Sequence, residues 1–213
     1  MDELEDTLPG PGMAAKFLAL GDSYTIGEGV LPADRWPMQL SVLLEQEGIQ
    51  LGEPLYVAKT GWTTGNLLSY LRTVSMPSDY GLVTLQIGVN NQYQNRPIDE
   101  FRNELRSLLT IATGLASKTP RNVMLLTIPD WGLTPFATGK NTTTITSQIN
   151  KFNTVITEEG QKAGVVVVNV NDLSKMVTSN PAFVAPDGLH YSASMYTLWA
   201  QRALPTAVAI IKE

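Results

Sequence analysis

The 213-residue sequence has no cysteine and one histidine, His190. Without cysteine there are no disulfides, thiol nucleophiles or cysteine-ligated metals. With a single histidine, any imidazole chemistry must use His190. A metal site would be limited to carboxylates, so neither metal nor other cofactor is expected. No apolar run approaches the roughly 18 residues that cross a bilayer, and no transmembrane segment is expected. Positive charge is also scarce, at 15 Lys and Arg against 20 Asp and Glu. There is no basic stripe for nucleic acid and no cluster for an anionic membrane. Four of the acidic residues, Asp2, Glu3, Glu5 and Asp6, stand at the N-terminus, where a secretory signal would be basic and then apolar. As it stands the sequence suggests a soluble, cytoplasmic protein, or a secreted or periplasmic one if a leader has been removed. Oligomeric state is left open.

Hydrophobic residues make up 43% of the chain, enough for one substantial core. Residues 1–12, charged and rich in proline and glycine, are expected to form a flexible arm, and 13–213 a single domain. The run Phe17 to Leu20 predicts a buried strand. Further strands are predicted at Leu55–Ala58, Leu82–Ile87, Val123–Ile128 and Val165–Val170. Between them, helical periodicity marks Trp36–Gly48, Thr64–Val74, a long helix opened by Pro97 in its first position, and a helix around Ile145–Ile156. A C-terminal helix is expected from about Ala193 to Ile211, broken or bent at Pro205. Alternation of five apolar strands with helices implies an α/β fold, a three-layer α/β/α sandwich on a five-stranded parallel sheet.

Gly21-Asp22-Ser23-Tyr24 follows the first strand. In such sheets ligands bind beyond the carboxyl ends of the strands, so Ser23 is a candidate nucleophile, left exposed at the strand end. A serine hydroxyl needs a base near neutral pH. Asp187-Gly188-Leu189-His190 puts a carboxylate three residues before the only imidazole, a separation that lets the acid take the Nδ1 proton and leave Nε2 as base. Gly61, after the second strand, and Asn90, after the third, are donor types that stabilise an oxyanion, although both are also common turn residues. Asp22 is either a site residue or a helix cap.

These four segments, in this order, resemble the SGNH, or GDSL, hydrolase family over about residues 15–211. The resemblance implies a flavodoxin-like fold and metal-free ester hydrolysis. It also implies Ser23 as nucleophile and oxyanion donor, Gly61 and Asn90 as further donors, His190 as base and then acid, and Asp187 orienting it. One departure is Asn91, where the family often has Asp. The Gly-x-Ser-x-Gly elbow of α/β-hydrolases is absent, since Thr25 occupies its second glycine position.

Trp36, Trp62, Tyr93, Trp131 and Phe136 are predicted in or beside the loops around Ser23. With Asp22, all but Trp36 are carried forward as candidate substrate contacts, forming an acyl pocket or a stacking surface for a sugar or aryl alcohol. The loop 130–141 is long enough for a lid, with Gly132 and Gly139 as hinges. The expected function is a serine esterase acting on a small-molecule ester: a short-acyl or acetyl ester, a lysophospholipid or an acetylated carbohydrate. The alternatives are an acyltransferase using the same acyl-enzyme, or a flavodoxin-like ligand-binding protein without enzymatic activity.

Overall fold

The computed structural model describes residues 16–212, so the arm predicted over 1–12 lies outside the described residues. Five strands form one parallel sheet: β1 (Lys16–Gly21), β2 (Leu55–Ala58), β3 (Tyr80–Gln86), β4 (Val123–Leu126) and β5 (Val166–Val168). Their order is β2-β1-β3-β4-β5. Phe17, Leu18, Ala19 and Leu20 are all buried, as are Leu82, Val83 and Leu85, because helices cover both faces of a parallel sheet. The helices are α1 (Ser23–Ile26), α2 (Trp36–Gln46), α3 (Thr64–Thr73), α4 (Val89–Tyr93), α5 (Ile98–Leu115), α6 (Thr142–Ala163) and α7 (Ala193–Lys212). α2 packs on α7, while α3, α5 and α6 pack side by side. Right-handed crossovers put these two groups on opposite faces of the sheet. The three-layer α/β architecture is therefore as expected. No helix among the described residues is long and apolar enough to cross a membrane.

Several local expectations are corrected. Pro97 stands before α5 as its N-cap, with an extended ψ of 136°, rather than in the first helical position. α7 runs through Pro205 to Lys212 without interruption. Buried Ala203 and Ala207 on either side of the proline pack into the core, and that burial outweighs the one lost backbone bond. Trp36 is fully buried at the start of α2 and belongs to the core. The short helices α1 and α4 have too few residues to show periodicity, and no helix was expected at either.

Gly21, the last residue of β1, lies so close to its neighbours that a Cβ there would collide with the Thr25 side chain and sit 2.5 Å from the Gln86 carbonyl oxygen. Only glycine lets the chain turn directly from β1 into α1.

On the far side, Glu159 of α6 is buried and accepts hydrogen bonds from Arg106 Nε at 2.6 Å, from Lys162 Nζ at 3.0 Å and from Arg102. The Arg106 bond and its companions pull the Glu159 carboxyl down to about 2, against the opposing effect of burial. A lowered pKa contributes stability above the ordinary value of 4.5, and that stability disappears as pH falls towards 2. Because Arg106 and Lys162 are half exposed to screening solvent, Glu159→Gln is expected to cost only about 1 kcal/mol at neutral pH. Thermal melts of both proteins from pH 7 downward test this: the difference in Tm shrinks below pH 4.5.

Candidate active site

The strand order reverses at β1, whose neighbours β2 and β3 are reached by connections running in opposite directions, and the crevice beyond their carboxyl ends is where such sheets place ligands. Gly21 is in register with Ala58 of β2 and with Gln86 of β3. The segments after these strands, carrying Ser23, Gly61 and Asn90, therefore leave the sheet at the same level.

Asp22 caps α1, its Oδ1 accepting the Tyr24 N–H at 3.0 Å, and this fixes Ser23 as the first helical residue. Tyr24, the next residue, packs its ring on His190, with centroids 5.1 Å apart, and stacks on Trp199 of α7 at 6.2 Å. The serine and histidine segments, far apart in sequence, are held together by this ring contact. The Asp187–His190 turn holds itself. Asp187 Oδ1 accepts the N–H groups of Leu189 at 2.8 Å and His190 at 2.9 Å, while Oδ2 lies 2.6 Å from His190 Nδ1. Burial pushes the Asp187 pKa up, but these hydrogen bonds outweigh it, so the carboxyl stays below its usual value and ionised at neutral pH.

One cavity of about 220 Å³ gathers most of the expected site residues: Ser23, Gly61, Asn90, Tyr93, Trp131, Phe136 and His190. Asp187 stands behind His190. Ser23 is almost wholly buried, 4% exposed, and faces the cavity instead of open solvent as expected. Gly61 has φ +83° with nothing within 4 Å of where a Cβ would be, so the strain of the turn, not crowding, favours glycine there. Asn90 gives one Nδ2 hydrogen to the Trp62 carbonyl at 3.0 Å, which ties the Gly61 loop to α4 and leaves the other hydrogen of the same amide to aim elsewhere.

Two expected substrate contacts are not at the cavity. Asp22 is spent as the α1 cap and is buried, and Trp62 turns aside to pack on Tyr70 at 5.3 Å, contributing only its backbone carbonyl to the site. Thr60, Val89, Tyr24 and Leu189 also line the cavity and were not anticipated, although each adjoins a predicted site residue in sequence. The loop over 130–141 folds into two short helical turns, and a Cβ at Gly132 would lie 2.9 Å from both Asp130 Oδ1 and Ile145, so this glycine allows close packing there. Gly139 does have a positive φ, +79°, at a turn before α6.

Asn91 is fully buried. Its Oδ1 accepts the Thr64 N–H at 2.9 Å and its Nδ2 donates to Thr64 Oγ1 at 2.6 Å, leaving the threonine hydroxyl to donate to Glu104. The amide is matched to this chain of bonds, because a carboxylate could not donate to Thr64 Oγ1 and would compete with Glu104 for its one hydroxyl hydrogen.

A comparison with protein-family models finds that the GDSL-like Lipase/Acylhydrolase family matches residues 19–198. Among curated proteins nothing matches significantly. Similar solved structures include TesA, with a TM-score of 0.72 at 19% identity over 92% of this chain and 99% of that one. The psychrotrophic esterase EstA from Pseudoalteromonas sp. superposes with a TM-score of 0.71 at 14% identity, over 93% and 99%. An acetylxylan esterase from Geobacillus stearothermophilus gives 0.69 at 18% identity, over 92% and 95%. At such identities these likenesses speak for the fold.

Two variants probe the local chemistry. Asn91→Asp is expected to lower stability by about 1–3 kcal/mol, seen as a Tm fall of several degrees. Burial raises the Asp22 carboxyl from 3.8 to about 7, so its share of stability is complete below pH 4 and is lost as pH climbs through 7. Asp22→Asn keeps the cap, and its Tm relative to wild type is expected to improve from pH 4 to pH 8.

Proposed function

The chain belongs to the GDSL-like Lipase/Acylhydrolase family and is a carboxylic ester hydrolase, and we propose that it works through an acyl-enzyme on Ser23. The observation that carries this reading is the single cavity shared by Ser23, His190, Gly61 and Asn90, with Asp187 Oδ2 at 2.6 Å from the histidine's far nitrogen. Membership in a hydrolase family sets aside the ligand-binding alternative.

In this mechanism His190 Nε2 takes the proton of Ser23 Oγ as the oxygen attacks the ester carbonyl carbon. Negative charge moves onto the carbonyl oxygen, where the N–H groups of Ser23 and Gly61 and the Asn90 side chain receive it. The imidazolium formed is balanced by the ionised Asp187, which also keeps the Nδ1 proton in place. His190 then hands its proton to the departing alcohol oxygen, and the ester becomes an acyl group bonded to Ser23. Water, deprotonated by the same imidazole, attacks this acyl carbon; the acid leaves and Ser23 regains its proton. Thr60 and Gly61 are exposed at the mouth, which gives water a path to the acyl-enzyme. EstA, one of the similar structures, is described as inhibited by monoethylphosphonate, and an organophosphonate is a suitable covalent probe for Ser23.

Turnover of p-nitrophenyl acetate tests the mechanism. Ser23→Ala and His190→Ala are each expected to lower kcat by about 10⁴- to 10⁶-fold, and the double variant to be scarcely worse than either, since the residues act as one unit. Phosphonate adduct mass on Ser23 is expected in wild type and absent from Ser23→Ala. Wild-type rates in Ser23→Ala would end the reading.

A further inference from the structure

The cavity beside Ser23 ends in a wall of three aromatic rings. Tyr93 from α4, and Trp131 and Phe136 from the loop after β4, touch pairwise with centroids 5.4, 5.9 and 6.2 Å apart. Tyr93 and Phe136 are partly open to solvent, at 48% and 38% exposure, whereas Trp131 is only 4% exposed and forms the inner part of the wall. Its Nε1 donates to Gln92 Oε1 at 2.7 Å, and Gln92 Nε2 donates in turn to Gln148 at 2.8 Å. The indole cannot swing aside without leaving a buried amide oxygen unpaired.

The loop carrying this ring is fastened to its surroundings. The Asp130 N–H donates to Ser174 Oγ at 3.1 Å, Thr146 Oγ1 donates to Asp130 Oδ2 at 2.6 Å, and the Phe136 N–H donates to the Gly188 carbonyl at 2.9 Å. The last bond joins the wall to the very turn that bears Asp187 and His190. The space it bounds, about 220 Å³, is below the roughly 300–1,000 Å³ typical of drug-sized ligand sites, and it must also hold the reacting carbonyl. In ester cleavage the alcohol must depart after the first step while the acyl group stays through both. The exposed mouth by Thr60 and Gly61 suits the departing alcohol, and the apolar end backed by the buried indole suits the acyl group.

We propose that Trp131, held by Gln92, is the specificity-determining residue that terminates the acyl site, so that the enzyme takes esters of short acids and rejects long-chain ones. This rests on the acyl-enzyme reading above. The indole fills the space a longer chain would need, and the cost of displacing it rises with each added methylene.

Two ester series measured on the purified full chain test the proposal. In the first, p-nitrophenyl esters run from acetate through butyrate and hexanoate to octanoate. In the second, acetate is held constant and the alcohol is lengthened. Wild-type kcat/KM is expected to fall steeply beyond butyrate in the first series. Trp131→Ala is expected to raise the octanoate-to-acetate ratio of kcat/KM by about tenfold or more, leaving the slope of the second series unchanged. Gln92→Leu, which frees the indole, is expected to move the first series the same way by a smaller factor. Should Trp131→Ala fail to fold, Trp131→Leu and Gln92→Leu carry the same test. An unchanged acyl profile in folded variants, or a shift confined to the alcohol series, overturns the proposal. If Ser23→Ala still abolishes turnover in that case, the acyl-enzyme reading stands and only the role of Trp131 falls; if turnover never depended on Ser23, both fall.

Discussion

The site depends on the register of three parallel strands. Gly21, Ala58 and Gln86 lie side by side, so the chain leaves β1, β2 and β3 at one level and delivers a serine, a glycine and an asparagine to one crevice. Parallel pairing obliges each return to pass over a face of the sheet, and the reversal of direction at β1 opens a gap between those returns. The turn with Asp187 and His190 enters from the C-terminal end of the chain just ahead of α7. It meets the serine segment through Tyr24, whose ring lies between His190 and Trp199.

Around that frame the polar groups bind loops to one another. Asn90 holds the Gly61 loop through the Trp62 carbonyl, Asn91 holds the start of α3 through Thr64, and Gln92 holds the indole of Trp131. Three consecutive residues of one short helix thus connect three different parts of the site. A single turn of helix has little stability of its own; here the connections keep it in shape and tie the cavity's parts together. The loop over 129–141 is part of this arrangement, tied to Ser174, Thr146 and Gly188 by hydrogen bonds.

The two carboxylates near the reacting groups have opposite environments. Asp187 is partly exposed and surrounded by donors, so it stays charged beside His190. Asp22 is buried with a single donor on one oxygen, so its charged form is disfavoured and its role is to cap α1 beneath Ser23. Residues of one type, one at each end of the chain, are separated in function by solvent and by the number of N–H groups aimed at them.

Much was legible in the sequence. The buried strands were visible because a parallel sheet covered on both faces needs largely apolar runs, and Phe17–Leu20 and Val123–Leu126 are such runs. The candidate chemistry was visible because a lone histidine three residues after an aspartate, and a serine after a strand-ending glycine, are local patterns that carry their own geometry. Side-chain direction was not visible. Trp36 and Trp62 stand next to the right loops, yet one faces the core and the other Tyr70, while Trp131 turns inward to a glutamine from another element. Backbone periodicity and hydrogen-bonding residue type are properties of neighbours along the chain, so the sequence by itself determined the layers and the candidate reacting groups. Which aromatic rings line the cavity, that Asp22 caps α1, and how the 129–141 loop is fastened were decided only by tertiary structure, because each depends on partners that folding brings together.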